Sequence, residues 1–345
     1  MVLADVTRAV KRVLVVLAAA AAALALILSL LWRDRPALAD ITIADVPAFD
    51  GDEDAVTATW FGVTTLLIDD GETQILIDGF ISRPTLLDVL MRRDVTSDAA
   101  TINFFLNEYR VRRLAAVIPI HSHFDHAMDI GAIANRSSAS ILGSATSANI
   151  ARGVGVPEDQ IVVVQDGAEY TFGAFTVRFI ESVHAPVGWG GSVPLPGTID
   201  EPLPMPAPIT AFREGGSYAV LVKHDQGTAL IQGSAGISAN ALDGVTANTV
   251  LLGVGLLEGL GRDYMENYWR TTVTSTGADM VIPVHFDDYT QRFGDVVLLP
   301  RFLDNFADTA SALLEFRGRW DGDARLFLPR FGVAFALYPE EDPEV

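Results

Sequence analysis

A long apolar segment near the N-terminus is the clearest hydrophobic pattern in the chain. Residues 13–32 (VLVVLAAAAAALALILSLLW) contain no charged side chain. At 1.5 Å per residue, a helix of this length is about 30 Å long, which matches the hydrocarbon core of a bilayer. Arg8, Lys11 and Arg12 precede the segment. The positive-inside rule therefore keeps the N-terminus cytoplasmic and sends the rest of the chain across the membrane.

Two interpretations of this segment remain open. A retained helix would anchor the protein, whereas Ala37-Leu38-Ala39 before Asp40 has the small-x-small pattern typical of a signal-peptidase site. The apolar run exceeds the roughly 7–15 residues usual for a signal peptide. We predict a signal peptide or membrane anchor over residues 1–39. Both interpretations export the remainder, to the periplasmic or extracellular side, either membrane-anchored or secreted.

After a linker at residues 40–55, short β-branched segments alternate with turns and amphipathic segments. A β-hairpin is predicted where Thr57–Ile68 and Thr73–Ile77 flank an Asp-Asp-Gly-Glu turn. Helices are predicted at 84–93, 98–113, 127–135, 144–153 and 299–315, and strands at 114–120, 161–164, 169–170, 175–181, 217–223, 228–232, 249–254, 280–284 and 325–328. Two β-rich halves, each followed by helices, indicate a layered α/β sandwich.

A proline-rich segment interrupts the second half. Residues 186–208 contain seven prolines in 23 residues. Because proline has no amide hydrogen for a sheet, this segment is predicted to be an ordered loop, a lid or a surface insertion. Its large apolar side chains are expected either to line an apolar entrance or to pack onto the domain: Trp189, Leu195, Leu203 and Met205.

Composition narrows the range of functions. The 345 residues are 50% hydrophobic and carry a formal net charge of −20, which disfavours binding to a nucleic-acid backbone. Cysteine is absent, which excludes disulfides, thiolate metal sites and a cysteine nucleophile. Any metal site must therefore use histidine and carboxylate ligands.

Three of the six histidines lie within residues 121–126 (HSHFDH), directly after an apolar strand. His121 and His123 alternate along extended backbone, so they point to the same side and can share one cation. Asp125 and His126 turn into the following helix and can face a second cation. Imidazole and carboxylate ligands suit Zn²⁺ and comparable transition metals.

This motif resembles the HxHxDH signature of the metallo-β-lactamase superfamily. Residues 60–68 (WFGVTTLLI) resemble the W-x-G-H-x-[ST] strand of the branch that contains ascorbate-phosphate lactonases and N-acyl-phosphatidylethanolamine phospholipase D, with Val63 in place of the usual histidine. Residues 75–78 (ILID) resemble the next strand, whose aspartate lies beneath the metal loop. The resemblance implies an α/β fold, a four-layer αβ/βα sandwich over residues 56–340, preceded by the N-terminal transmembrane or signal helix.

The resemblance also implies the remaining metal ligands. His184 would complete the first site with His121 and His123, and His285 would complete the second with Asp125 and His126. Ser234 stands where the family's bridging aspartate belongs, so it would be a weak ligand at most. One or two divalent transition-metal ions are expected, zinc first, with manganese and iron as alternatives.

The function implied is a metal-dependent hydrolase that uses a metal-bound hydroxide on an ester, lactone or phosphodiester. Asp125 would orient the hydroxide and take or relay its proton. The expected partners are a small-molecule or lipid-like substrate and, through an uncleaved helix, the membrane; nucleic acid is not expected. The alternative is a degenerate metal-binding envelope protein without activity, because Ser234 and Val63 depart from the family pattern.

Overall fold

Two β-sheets packed face to face form the centre of the protein. The structure is a computed structural model that describes residues 2–51, 55–238 and 240–338. Residues 52–54 of the predicted linker and residues 339–340 of the predicted domain lie outside the described residues.

The first sheet has seven strands: β2 (Thr57–Trp60), β3 (Leu66–Asp69), β4 (Gln74–Ile77), β6 (Leu114–Ile118), β7 (Ser140–Gly143), β8 (Ile161–Val163) and β17 (Ala334–Ala336), in the order β17-β2-β3-β4-β6-β7-β8. The second has eight: β1 (Ala44–Asp45), β9 (Glu169–Phe172), β10 (Phe175–Ser182), β12 (Ser217–His224), β13 (Gly227–Gln232), β14 (Thr249–Gly253), β15 (Met280–Val284) and β16 (Arg325–Leu328), in the order β1-β16-β15-β14-β13-β12-β10-β9. Strands β5 (Asp94–Val95) and β11 (Ala207–Pro208) form a short two-stranded sheet, so the proline-rich segment ends in a β-strand.

Helices cover both outer faces of the sandwich. The described helices are α1 (Val2–Arg33), α2 (Leu86–Leu90), α3 (Ala99–Glu108), α4 (Phe124–Ala127), α5 (Ile130–Ser137), α6 (Ala145–Gly153), α7 (Arg262–Thr272) and α8 (Phe306–Trp320). Apolar side chains of α3, α5 and α6 pack over the seven-stranded sheet, and those of α7 and α8 pack over the eight-stranded sheet. The predicted αβ/βα sandwich with an N-terminal apolar helix is confirmed.

The segment predicted as one strand over residues 57–68 is two antiparallel strands. Gly62 and Val63 have φ angles of +88° and +48°, and the Thr65 amide donates to the Gly62 carbonyl over 2.9 Å. This left-handed turn reverses the chain between β2 and β3. The predicted hairpin is correct for β3 and β4, which pair on either side of residues 70–73. The prediction over 299–315 also began too early, because α8 starts at Phe306.

The carboxyl ends of several strands meet at one edge of the sandwich. Strands β4 and β6 are parallel in one sheet, and β13, β14 and β15 are parallel in the other. Strand β10 runs in the same direction as β13, because both are antiparallel to β12. The residues that follow these strands include the histidine-rich motif, His184, Ser234 and His285. The fold therefore collects the candidate ligands from both sheets at this edge.

Helix α1 extends away from the sandwich. Its segment Lys11–Arg33 has a mean hydropathy of 2.9 and no buried part. It is long and apolar enough to cross a membrane, and its place near the N-terminus also fits a signal sequence.

Candidate metal centre

The HSHFDH loop is fixed by hydrogen bonds on both sides. The Ile120 amide donates to Asp78 Oδ1 over 2.8 Å, and the Ser122 amide donates to the Glu214 carbonyl over 3.0 Å. Helix α4 begins directly after His123. His121 and His126 are each only 1% exposed. The loop therefore presents rigid, buried imidazoles rather than mobile surface side chains.

His121, His123 and His184 form the first candidate site, called here the histidine trio. One ring nitrogen of each lies within 4.8 Å of the others. Nε2–H of His123 donates to the Pro194 carbonyl over 2.9 Å, and Nδ1–H of His184 donates to the Ala185 carbonyl over 2.7 Å. Because carbonyl oxygens only accept, the opposite nitrogens of both rings carry lone pairs, and Nδ1 of His123 lies within hydrogen-bond distance of His121 Nε2.

The spacing of these lone pairs fits a single tetrahedral cation. Nε2 of His121 lies 3.0 Å from Nδ1 of His123. Two nitrogen ligands of one tetrahedral zinc ion are separated by roughly 3.3 Å, given zinc–nitrogen distances of about 2.05 Å. The histidine trio therefore has the donor set and spacing of a zinc-type site.

Burial keeps the histidine trio neutral. It lowers the pKa of His121 well below the ordinary 6.5, and the adjacent histidines lower it further. Burial also lowers the pKa of His123, and burial together with His123 lowers the pKa of His184 to about 4. Neutral imidazole is the form that binds metal. No proton competes for these nitrogens at neutral pH.

Asp125, His126 and His285 form the second candidate site, called here the mixed trio. Their ligand atoms also lie within 4.8 Å of one another, with Asp125 Oδ2 at 3.7 Å from His126 Nε2 and 3.6 Å from His285 Nε2. Nδ1–H of His126 donates to Asp78 Oδ2 over 2.6 Å, which leaves Nε2 facing the site. The two trios adjoin, because the His121 and His126 rings are 3.9 Å apart.

The mixed trio carries charge, whereas the histidine trio is neutral. Burial alone would lower the pKa of His126, but Asp78 and Asp125 raise it above the ordinary 6.5. Burial opposes ionisation of Asp125, yet His126 and His285 hold the pKa of its carboxyl far below the usual range. A cation at this site would therefore replace a proton on His126.

Backbone conformation directs His285 into the mixed trio. His285 has a φ of +65°, and its amide donates to the Val63 carbonyl over 2.8 Å. The Val63 amide donates in turn to Asp287 Oδ1 over 2.7 Å. A Cβ on Gly255 would lie 2.6 Å from His285 Nδ1, so that position requires glycine. Strained backbone of this kind is concentrated at functional sites.

Ser234 lies beside both trios, but its side chain is a neutral hydroxyl rather than a carboxylate. It follows β13, is 6% exposed, and its Oγ accepts a hydrogen bond from the Ala185 amide over 3.0 Å. That bond connects it to the loop that carries His184. Its role as a weak metal ligand stays a prediction.

A largely apolar pocket of about 290 Å³ is lined by all of the histidine trio and by Asp125 and His285 of the mixed trio. The walls include Val89, Phe124, Val187, Leu195, Tyr289 and Leu299. Of the apolar side chains predicted to line an entrance, Leu195 lines this pocket. Leu203 and Met205 instead pack against the apolar core between the seven-stranded sheet and its helices, and Trp189 is 99% exposed.

No pattern in the sequence indicates two buried charged residues that lie near the site. Arg83 is buried, donates to the Phe61 carbonyl over 2.7 Å, and lies 3.7 Å from Asp287. Asp304 is buried near His285, accepts from the Leu256 amide, and burial raises its pKa to about 6. These residues lie far apart along the chain and match no motif. The sixth histidine, His224, lies at the β12–β13 hairpin, outside both trios.

Comparison with known proteins gives a family match for part of the chain. The family model described as "Metallo-beta-lactamase superfamily" matches residues 58–198, which include the HSHFDH loop and His184. Residues 58–198 are thus similar to a metallo-β-lactamase superfamily domain. His285 and Ser234 lie beyond the matched residues. No curated protein sequence matches the chain significantly.

Solved structures share the metallo-β-lactamase fold at low sequence identity. CmlA, a di-iron β-hydroxylase from Streptomyces venezuelae, is 12% identical, with a TM-score of 0.51 over 83% of this chain and 54% of its own. Igni18, a metallo hydrolase from Ignicoccus hospitalis, is 15% identical, with a TM-score of 0.49 over 81% and 98%. An isothiocyanate hydrolase from Delia radicum gut bacteria is 15% identical, with a TM-score of 0.49 over 82% and 99%.

These comparisons concern the fold. Proteins of this fold normally bind divalent metals, and several neighbours are named hydrolases, while one is named a hydroxylase. The branch with ascorbate-phosphate lactonases and N-acyl-phosphatidylethanolamine phospholipase D stays a prediction.

Proposed function

We propose that the protein is a metal-dependent hydrolase of an ester, lactone or phosphodiester that works on the exported side of a membrane. The observation that carries the proposal is the convergence of two ligand trios, five of whose six members line one apolar pocket. A metal site alone would not need a pocket. A pocket that ends at two adjoining trios places a substrate against them.

The two trios would hold one or two divalent transition-metal ions, with zinc as the first choice. Bound there, such an ion acts as a Lewis acid and lowers the pKa of water from 15.7 towards about 7. The histidine trio offers three neutral nitrogens, and the mixed trio offers two nitrogens and a carboxylate oxygen. Nitrogen donors favour zinc or iron over magnesium or calcium.

Asp125 is the residue best placed to handle the proton of the attacking water. Its carboxylate is ionised at neutral pH and lines the pocket. It can accept a hydrogen bond from water and orient the oxygen towards the substrate. The water oxygen bonds to the acyl or phosphoryl centre as the ester bond breaks, and the proton passes to the departing oxygen.

Tyr289 supplies a neutral hydrogen-bond donor in the same pocket. Burial raises the pKa of its phenol, and Asp125 raises it further. The phenol therefore stays protonated throughout the neutral range. It can donate a hydrogen bond to a substrate oxygen that gains negative charge in the transition state.

The apolar walls favour a substrate with an apolar group attached to the hydrolysed bond. Val89, Val187 and Leu299 offer no hydrogen bonds to a sugar or a nucleotide. A small or lipid-like ester fits these walls better than a polyanion, which the net charge of −20 would also repel.

A second candidate function is metal binding in the envelope without turnover. Ser234 favours this candidate because a neutral hydroxyl stands where the family's bridging aspartate would add one negative charge beside the mixed trio. Against it, all five histidines and Asp125 of the two trios are present and converge. Hydrolysis is therefore the function that the site supports better.

Replacement of Asp125 tests the proposal. The full chain in detergent, loaded with zinc, manganese or iron, is assayed against ester, lactone and phosphodiester substrates. Asp125→Ala should lower turnover by about 10²–10⁴-fold while cooperative thermal unfolding is retained. Asp225→Ala, at an 85% exposed side chain on the β12–β13 hairpin, is the matched control and should keep full activity. Unchanged turnover in Asp125→Ala would contradict the mechanism.

A further inference from the structure

We infer that α1 is retained as an anchor and holds the pocket mouth against the outer surface of the bilayer, so that the site receives a membrane amphiphile. The substrate part of this inference rests on the proposed hydrolase function. The anchoring and orientation rest on contacts of the chain just after α1.

The junction after α1 is built into the catalytic domain. Nη1 of Arg35 donates to Asp288 Oδ2 over 2.7 Å and to the Leu298 carbonyl over 2.6 Å. The Arg35 side chain is 15% exposed and that of Asp288 is 1% exposed. Pro36 is buried as well. This is a well-packed contact rather than a surface ion pair.

Cleavage after Ala39 would remove this contact. Asp288 would keep its hydrogen bonds from Thr290 and Gln291, but would lose its only described cationic partner. Removing one partner of a buried pair leaves an uncompensated charge and is strongly destabilising. A domain that uses Arg35 in this way is built to keep residues 1–39, which favours an anchor over a signal peptide.

The same contacts place the pocket beside the end of α1. The Trp32 and Phe302 ring centroids are 6.2 Å apart, and the Arg301 amide donates to the Asp34 carbonyl over 2.9 Å. Arg35 follows the last residue of α1 by two positions, so at most about 7 Å of chain separates them. If α1 spans a bilayer, segment 287–304 therefore lies at its outer surface.

This segment also forms part of the pocket wall. Asp287, Tyr289 and Leu299 line the pocket, and Leu298 and Asp288 hold Arg35. The pocket mouth and the end of α1 are therefore on the same side of the domain.

Large exposed apolar side chains lie within a few positions of residues that line the pocket. Three lining segments have such neighbours: α2 beside Val89, the loop beside Val187, and the segment beside Leu299. This apolar rim consists of Leu87, Leu90, Met91, Trp189, Phe302 and Leu303, which are 45–99% exposed. Exposed apolar patches mark interaction sites, and aromatic side chains favour the bilayer interface. Continuity with α1 identifies the bilayer surface as the occupant.

A substrate in the bilayer could then enter without crossing water. An amphiphile with an apolar tail and an ester bond near its headgroup would meet the rim first and the apolar walls next. Its ester bond would reach the trio residues that line the pocket.

Orientation can be measured without any activity, because the chain has no cysteine. Trp189→Cys and Phe302→Cys each give the full chain one labelling position for an environment-sensitive fluorophore. Trp320→Cys is the control, at a 41% exposed residue on α8. Asp321 bonds Thr274, and Arg325 pairs with Met280 at the start of β15, whereas His285 follows the end of β15. Residue 320 therefore lies at the opposite end of the sheet from the site.

The labelled full chain is reconstituted in phosphatidylcholine–phosphatidylglycerol vesicles that carry a nitroxide-labelled lipid. Quenching is expected at positions 189 and 302 and not at 320. Equal quenching at all three positions, or none at 189 and 302, would overturn the orientation. Intact mass of the membrane-extracted protein should show residues 1–39 in place, and a chain that begins at Asp40 would overturn the anchor.

A second assay separates the substrate class from the proposed function. Phe302→Asp should lower hydrolysis of a long-chain ester in vesicles about tenfold relative to hydrolysis of a soluble short-chain ester. Equal rates for wild type and variant on both substrates would overturn supply from the bilayer. No hydrolysis of either ester would overturn the substrate class, and no hydrolysis of lactones and phosphodiesters as well by the metal-loaded wild type would overturn the proposed function, while the quenching result would still decide the orientation.

Discussion

The histidine trio and the mixed trio adjoin, yet their surroundings prepare them differently. Two backbone carbonyls orient His123 and His184, and burial keeps these rings neutral. In the mixed trio, Asp78 orients His126 and favours its protonated form. The first site is therefore ready for a cation at neutral pH, whereas at the second a proton on His126 competes with the cation up to a higher pH.

The difference extends to the backbone that supports each trio. His121 and His123 follow directly from a regular parallel strand. His285 instead depends on left-handed backbone at its own position and at Val63, and on glycine at position 255. The second site also has Ser234 where a further carboxylate would compensate charge. We therefore expect the histidine trio to bind metal more tightly than the mixed trio.

The largest effect is expected from deletion of one ligand in each trio. His123→Ala should remove the ion of the histidine trio and lower turnover by about 10³-fold, since several kcal/mol of transition-state stabilisation are lost. His126→Ala should remove only the other ion. Elemental analysis and turnover of both variants measure this, and loss of both ions in His126→Ala would break the comparison.

Loss of charge behind the mixed trio should have the next largest effect. Asp78→Asn keeps the size of the side chain and tolerates the φ of +56° at this position. It should weaken the second ion by about 10–100-fold, as is usual for groups that orient a ligand, and leave the first ion bound. Titration with a competing chelator measures both affinities.

Asp129→Asn is the control for that substitution. Asp129 is a buried carboxylate that accepts from the amides of Ile81 and Ser82 and belongs to neither trio. Both metal affinities should stay as in the wild type. Equal weakening of both ions by Asp78→Asn would mean that the two trios do not behave separately.

Lower pH should weaken metal binding at the mixed trio before it affects the histidine trio, with a smaller effect than the substitutions above. Because the pKa of His126 lies above 6.5, metal binding there releases a proton, so affinity falls by about tenfold per pH unit below that pKa. The pKa of His184 is about 4, so the histidine trio should hold its ion down to that region. Bound metal measured by equilibrium dialysis between pH 8 and pH 5 should fall from about two ions to one. Simultaneous loss of both ions would contradict this.

The smallest effect is expected from restoring a carboxylate. Ser234→Asp should tighten the second ion by up to about tenfold through its added charge. Ser234→Asn has the same size without the charge and should not tighten it. No difference between these two variants would show that position 234 does not reach the metal.

The sequence was most informative where chemistry is concentrated in short motifs. HSHFDH, with His184 and His285 placed by family resemblance, named the residues that the structure brings together. The alternation of strands and helices predicted the layered sandwich, because burial of one face leaves a regular pattern. The roles of the trio residues as metal ligands stay predictions until metal is measured.

The sequence was least informative where single contacts join distant segments. The turn at Val63 sits inside an apolar run, so hydrophobicity alone predicted one strand instead of two. Arg35 pairs with Asp288 across 253 positions, and Arg83 meets Asp287 across the sandwich. Such pairs follow from the tertiary fold and have no local periodicity that could indicate them.

Metal content of the full chain, purified in detergent without chelator, tests the central claim most directly. The account predicts about two transition-metal ions per chain at pH 8 by elemental analysis, with one lost first on mild chelation. No bound ion after incubation with zinc, manganese or iron would contradict it.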